Sequence, residues 1–165
     1  SENSEDFLEK DGNSNNVLFL PAFNGLGAPY WNSEIRGGFY GITPDTSIQD
    51  MITATFQSVA FQTKDITNIL NIYDIKIQKL LVDGGMVSNK TFCQVLADTL
   101  QIDIVKPENA ESTAIGACKV AMLSSGMSLE NLPKNDISYK ANKNLRDVYS
   151  RNYSKWQEYL LKTIK

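Results

Sequence analysis

The chain carries apolar residues at two different spacings, and these predict its elements in order. Val17–Leu20 (VLFL) is a short apolar run closed by Pro21, the pattern of a buried strand. Gly38–Ile42 (GFYGI) predicts a second strand, ended by Thr43-Pro44-Asp45. From Ser47 to about Ile72, apolar residues recur at Ile48, Met51, Ile52, Phe56, Val59, Ala60, Ile66, Ile69 and Leu70. That spacing lays one apolar stripe along a helix, with Thr46 or Ser47 as its N-cap. Leu80-Leu81-Val82 predicts a strand that stops at Asp83-Gly84-Gly85. Ser88 is then expected to cap a second helix, with Phe92, Val95, Leu96 and Leu100 facing inward. Ile102–Val105 predicts a strand ending at Pro107, and Ser112–Ser125 a third helix closed by Gly126. Residues 127–143, with Pro133, predict a loop. From Asn144 onward Leu145, Val148, Tyr149, Tyr153, Trp156, Leu160 and Ile164 mark a last amphipathic helix. Residues 1–16 are polar and predict a ragged terminus or a connector, either disordered or ordered with one short helical turn around Phe7 and Leu8.

Strands followed by alternating helices and strands define an α/β protein, a mostly buried sheet with helices packed on it. In such sheets ligands bind beyond the carboxyl ends of the strands. That rule directs attention to the loop after Leu80–Val82 and the loop after Ile102–Val105.

Composition narrows the chemistry. The 165 residues include no histidine, which removes Ser-His-Asp and Cys-His relays, His-ligated zinc and an imidazole pH switch. Two cysteines, Cys93 and Cys118, cannot build a Cys-only zinc site. Unstapled and far apart, they point to a reducing compartment, the cytoplasm. Sixteen basic against nineteen acidic residues, net −3, argue against a nucleic-acid partner. No apolar run approaches the ~18 residues of a membrane span, and the polar opening SENSEDFLEK is no signal peptide. The expectation is one domain over residues 17–165, with no membrane or nucleic-acid partner. Oligomeric state stays open, a homo-oligomer included.

Within that frame, Val82-Asp83-Gly84-Gly85-Met86-Val87-Ser88-Asn89 is the first candidate for chemistry. A strand runs into two glycines and then into a helix start, where free N–H groups and the positive end of the helix dipole favour an anion. Glycines let a ligand approach the backbone closely. Asn89 offers a side-chain amide that both donates and accepts. The same residues also suit a plain strand-to-helix turn. Asp83 suits a base or a magnesium-water shell, but an Asp bonded to its own glycine turn is the reading its turn chemistry favours. The loop Asn24–Trp31, with two glycines, Pro29, Tyr30 and Trp31, suits a binding wall or local core packing. Arg36 suits an anionic partner or a surface ion pair. The small residues Ala114, Gly116 and Ala117 suit close packing of the third helix on the sheet, and Cys93 and Cys118 both read as buried small hydrophobes.

Taken together, the motifs resemble a known family. Gly37-x-Phe39-x-Gly41-Ile42, with Asp50-Met51-x-x-Ala54-Thr55-Phe56-Gln57, resembles the C-terminal signature of the FGGY carbohydrate kinases. Val82-Asp83-Gly84-Gly85-x-x-x-Asn89 resembles that family's adenosine motif, and Glu111-Ser112-Thr113-Ala114-x-Gly116-Ala117 the small-residue helix that follows it. Pro21-Ala22-Phe23-Asn24-Gly25-Leu26-Gly27-Ala28-Pro29-Tyr30-Trp31 looks like the corresponding loop of the glycerol kinases, as does Ser58–Asp65. The resemblance runs from about Val17 to Gly126. It implies a domain of the actin-like, ribonuclease-H-like ATPase fold, with a mixed sheet and helices packed on it. It further implies ATP and Mg²⁺ as cofactors, glycerol as substrate, and nucleotide contact at Gly84, Gly85 and Asn89; the alternatives are another polyol or sugar kinase of the same family, or a non-catalytic nucleotide-binding or interaction module. The small-residue helix is expected to pack beneath the nucleotide. The family's catalytic aspartate, phosphate loop and main substrate contacts lie in an N-terminal kinase domain. No catalytic or metal-ligating residue is therefore expected here, and the chain is expected to be inactive alone.

Overall fold

A computed structural model describes residues 12–108, 112–128 and 136–164. The elements in order are β1 (Leu18–Leu20), β2 (Gly38–Tyr40), α1 (Ile48–Ile72), β3 (Lys79–Leu81), a 3-10 turn (Gly85–Ser88), α2 (Lys90–Leu100), β4 (Asp103–Pro107), α3 (Ser112–Ser124), β5 (Asp136–Tyr139), a 3-10 turn (Lys143–Leu145) and α4 (Arg146–Ile164). The helical turn expected at Phe7 and Leu8 lies outside the described residues.

β1 and β2 form an antiparallel ribbon in which Phe19 faces Phe39, their rings stacked 4.4 Å apart. The second strand stops two residues earlier than its pattern suggests, at Gly41. The φ of +76° there, and an Asn16 carbonyl where a Cβ would sit, turn the chain out of the ribbon. The second sheet is mixed, in the order β3-β4-β5. β3 runs parallel to β4 with Leu80 opposite Ile104 and Leu81 opposite Val105, and β5 runs antiparallel to β4. β5 lies in the segment expected to be a loop. Its one aliphatic residue, Ile137, gives no apolar alternation, and it is an exposed edge strand held by its backbone ladder.

α1 spans the predicted residues, but not with the predicted face inward: Asp50, Thr53, Ala54, Gln57, Ser58, Ala60, Phe61, Asp65 and Thr67 are buried, while Ile48, Ile66 and Ile69 of the expected apolar stripe are exposed, because polar side chains of the inner face find hydrogen-bond partners across the fold. A capping box fixes its start. The Ser47 hydroxyl accepts from the Asp50 amide, and the Asp50 carboxylate accepts from the Ser47 amide. Burial raises the Asp50 pKa, but the Ser47 and Asn15 hydrogen bonds outweigh it and hold the carboxyl below its usual range. α2 starts one residue later than expected. Its N-cap is Asn89, whose Oδ1 accepts from the Phe92 amide, while the Ser88 hydroxyl bonds back to the Gly85 carbonyl. α3 ends as expected, with Gly126 at φ +76° donating to the Leu123 carbonyl and Met127 to Met122.

The core lies among α1, α2, α4 and the two sheets. Tyr149, Tyr153, Trp156 and Leu160 make the buried stripe of α4, at helical spacing. Trp156 packs on Phe61, and its indole N–H donates to the Phe19 carbonyl at 2.9 Å. Residues 12–16, part of the predicted connector, are packed: the Gly12 carbonyl accepts from Gln57 and Asn152, and Asn15 donates to Asp50.

Candidate functional site

β3 delivers the chain to the Gly84–Gly85 turn, and three groups fasten the turn from below. Val87 is buried in the core. Its carbonyl accepts from the Lys106 ammonium on β4 at 2.6 Å and from the Cys93 thiol on α2 at 3.3 Å. Burial pushes the Cys93 thiol pKa up, against the opposing pull of Lys106, so it stays a neutral donor. The Val82 amide donates to the Val105 carbonyl, extending the parallel pairing up to the turn. Asn89 adds the third tie, its amide N–H donating to the Met86 carbonyl and its side-chain oxygen capping α2.

Above those fastenings the turn is open. Gly84 has φ +109°, a conformation that side-chain-bearing residues rarely adopt. A Cβ added at Gly84 or Gly85 would meet nothing within 4 Å. The turn is a bare strip of backbone on a fixed base, next to the N-terminus of α2, at the carboxyl ends of β3 and β4. A flat or charged ligand can lie against such a surface without displacing a side chain.

The structure therefore brings Gly84, Gly85 and Asn89 into one turn, with the Asn89 oxygen occupied in capping. Asp83 is exposed, and its carboxylate makes no hydrogen bond to the turn among the described residues. Among those residues no cluster of three or more His, Cys, Asp or Glu could hold a metal ion, and no helix is long and apolar enough to cross a membrane.

The aromatic loop divides its residues. Tyr30 is half-buried, and its hydroxyl donates to the Asp65 carboxylate at 2.9 Å. Trp31 is exposed at φ +49°, and Phe23, just before the loop, is exposed as well. Tyr30 thus answers to the core reading and Trp31 to the exposed one. Asp65 is itself buried and also accepts from Tyr153 at 2.5 Å and Gln157 at 3.0 Å. Burial and the Asp65 hydrogen bond push both tyrosine hydroxyls well above their usual pKa. Sequence reading missed this knot because residues 65 and 153 meet only through the fold. Lys106 was missed for the same reason.

Three other expectations are corrected. The Arg36 guanidinium forms no surface ion pair among the described residues; it donates to the Ser33 and Ile35 carbonyls. Cys118 is exposed. α3 buries none of its residues fully, against the close packing expected of its small face. The small, apolar composition of α3 is uniform around the helix, which gave sequence reading no exposed side to find.

Comparison with known proteins defines the class. The profile of the FGGY family of carbohydrate kinases, C-terminal domain, matches residues 3–125. The chain belongs to that family. It is 45% identical over 127 residues to a glycerol kinase of Streptococcus pneumoniae (strain CGSP14), a match covering 76% of this chain and 25% of that protein. Among solved structures it resembles a Plasmodium falciparum glycerol kinase solved with ADP, at TM-score 0.83 and 29% identity, over 98% of this chain and 33% of that one. A ligand-bound xylulose kinase from Lactobacillus acidophilus, at TM-score 0.79 and 21% identity over 94% of this chain and 32% of that one, shares the fold. The fold is the actin-like α/β fold of these kinases. The chain spans about a quarter of the length of the curated relatives it matches.

Proposed function

We propose that this chain is the nucleotide-facing C-terminal part of an ATP-dependent glycerol kinase. The open Gly84–Gly85 turn on its fixed base carries the reading. Gly84 and Gly85 lie against the adenosine of ATP, and Asn89 holds the turn in register with α2. The likeness to glycerol kinases, at 45% identity, supports glycerol over other polyols as substrate. In the whole enzyme a carboxylate outside this chain takes the proton from a terminal glycerol hydroxyl. That oxygen attacks the γ-phosphorus, the bond to the bridging oxygen breaks, and ADP leaves with glycerol 3-phosphate as the other product. Mg²⁺, which the family reading implies, offsets phosphate charge in such reactions. Among the described residues no cluster of three or more His, Cys, Asp or Glu is placed to hold it.

The test is a substrate panel on the complete kinase polypeptide that contains this segment, reading ADP release with ATP and glycerol, xylulose or gluconate. Glycerol is expected to give the highest kcat/KM, and the 165-residue chain alone no turnover. Preference for another substrate, or glycerol 3-phosphate made by the isolated chain, would overturn the reading.

A further inference from the structure

The hydrogen bonds within the Gly84–Gly85 turn are local. The Val87 amide donates to the Gly84 carbonyl, the Ser88 hydroxyl to the Gly85 carbonyl and the Asn89 amide to the Met86 carbonyl. Bonds of that span shape a turn without placing it on the sheet. Its placement depends on what reaches it from other elements. The β3–β4 ladder ends with Leu81 opposite Val105, and the Val82 amide adds one further bond to the Val105 carbonyl. Lys106 is the next residue on β4. Its side chain takes over where the backbone ladder stops, crossing to the Val87 carbonyl at 2.6 Å. A bond this short from a cationic donor is of the charge-assisted class, roughly twice as strong as a neutral one. Among the described residues the Lys106 ammonium forms no ion pair. The Cys93 thiol shares the same carbonyl at 3.3 Å, but a thiol is a weak donor.

We propose that Lys106 is a positioning residue for the nucleotide: its ammonium fixes where the Gly84–Gly85 turn sits on the sheet, and thereby sets the affinity for ATP. This rests on the reading of that turn as the adenosine seat. Lys106 acts through the Val87 carbonyl, two residues past Gly85 in the chain. The Val87 side chain is buried, so the far end of the turn has one fixed point in the core and one on β4. Without the ammonium, the weak thiol bond alone ties that carbonyl to its neighbours in the sheet and α2. The glycines, open above and with no side chains to brace them, are then free to shift. Small displacements of a positioning surface cost binding steeply. Because the turn faces the adenosine end of the ligand, the loss is the same whatever number of phosphates the nucleotide carries.

The test compares wild type, Lys106→Met and Lys106→Arg in the complete kinase polypeptide that contains this segment. Lys106→Met keeps the aliphatic stem and removes the donor. It should raise the KM for ATP by about tenfold. The KM for glycerol and the melting temperature should stay close to wild type, since the Cys93 thiol still serves the carbonyl. Lys106→Arg restores a cationic N–H and should recover most of the ATP affinity. Titration of AMP, ADP and ATP onto Lys106→Met should show one common fold-loss. A loss that grows with the number of phosphates would overturn the proposal, because Lys106 would then act on the phosphates themselves. An ATP KM equal to wild type in Lys106→Met would overturn it too. So would a rise of both KM values together with a lowered melting temperature, the pattern of a loosened fold. Gly85→Trp separates this inference from the reading beneath it. If Gly85→Trp raises the ATP KM and Lys106→Met does not, this inference alone fails. If Gly85→Trp leaves the ATP KM unaltered, the nucleotide-seat reading fails. In the double variant the two effects should fall well short of additive, since both act at one seat; full additivity would overturn the proposal.

Discussion

The side of the molecule built from α1, α2, α4 and the β1–β2 ribbon and the side carrying α3 and the Gly84–Gly85 turn use similar residues to opposite ends. On the first side even polar groups are enclosed: Asp65 gathers Tyr30, Tyr153 and Gln157, and Asp98 accepts from the Asn142 amide and the Gln94 side chain. Burial raises the Asp98 pKa against those hydrogen bonds, the mark of a carboxylate enclosed with its partners. On the second side even apolar groups are bare: Val120, Leu123 and Leu81 face outward. Enclosed polar groups show where the chain completes its own structure. The Gly84–Gly85 turn sits on the boundary, fastened to the finished side through Val87 and open above.

Four substitutions in the isolated chain probe that contrast through stability. Trp156→Ala, which empties the centre of the finished side and frees the Phe19 carbonyl, should cost about 3–5 kcal/mol in denaturant unfolding. Asp65→Ala should cost about 1–3 kcal/mol, since two tyrosine hydroxyls lose a charged acceptor. The pH profile sharpens this second case. Both tyrosine pKa values are raised in the folded state, so their contribution is complete below the ordinary value of 10.0 and is lost as pH rises above it. Wild type should therefore show a steep alkaline loss of stability, and Asp65→Ala a shallower one. Ser47→Ala removes the α1 capping box at a cost of about 1 kcal/mol. Val120→Ser, on the open side, should stay within about 0.5 kcal/mol of wild type. A large loss from Val120→Ser would erase the contrast, because α3 would then be packed within this chain.

The sequence was most readable where a single local rule decided the outcome. α1 is long and carries apolar residues at helical spacing, with its cap three residues from its partner, so both its span and its start were visible; which face turns inward was not, because the buried face is largely polar. The candidate turn was visible for the same reason, as two glycines between a strand and a helix. Reading failed where the deciding contact was distant. Ser88 and Asn89 are adjacent and both are good caps. Asn89 caps α2, and the 3-10 turn places Ser88 against Gly85. β5 has the composition of a loop and becomes a strand because β4 offers it a ladder. Cys118 and the small face of α3 looked like core because their composition is that of core.

The claim that the Gly84–Gly85 turn seats the nucleotide is tested most directly by Gly85→Trp in the complete kinase. Gly84 is the poorer position, since its positive φ would strain any side chain. Gly85 has open space where its Cβ would point, so the fold itself should tolerate the change and the melting temperature should hold. The KM for ATP should rise by roughly tenfold or more, equivalent to about 1.4 kcal/mol of lost nucleotide binding, with the KM for glycerol nearly unchanged. An ATP KM equal to that of the wild type, in a variant that melts normally, would contradict the assignment.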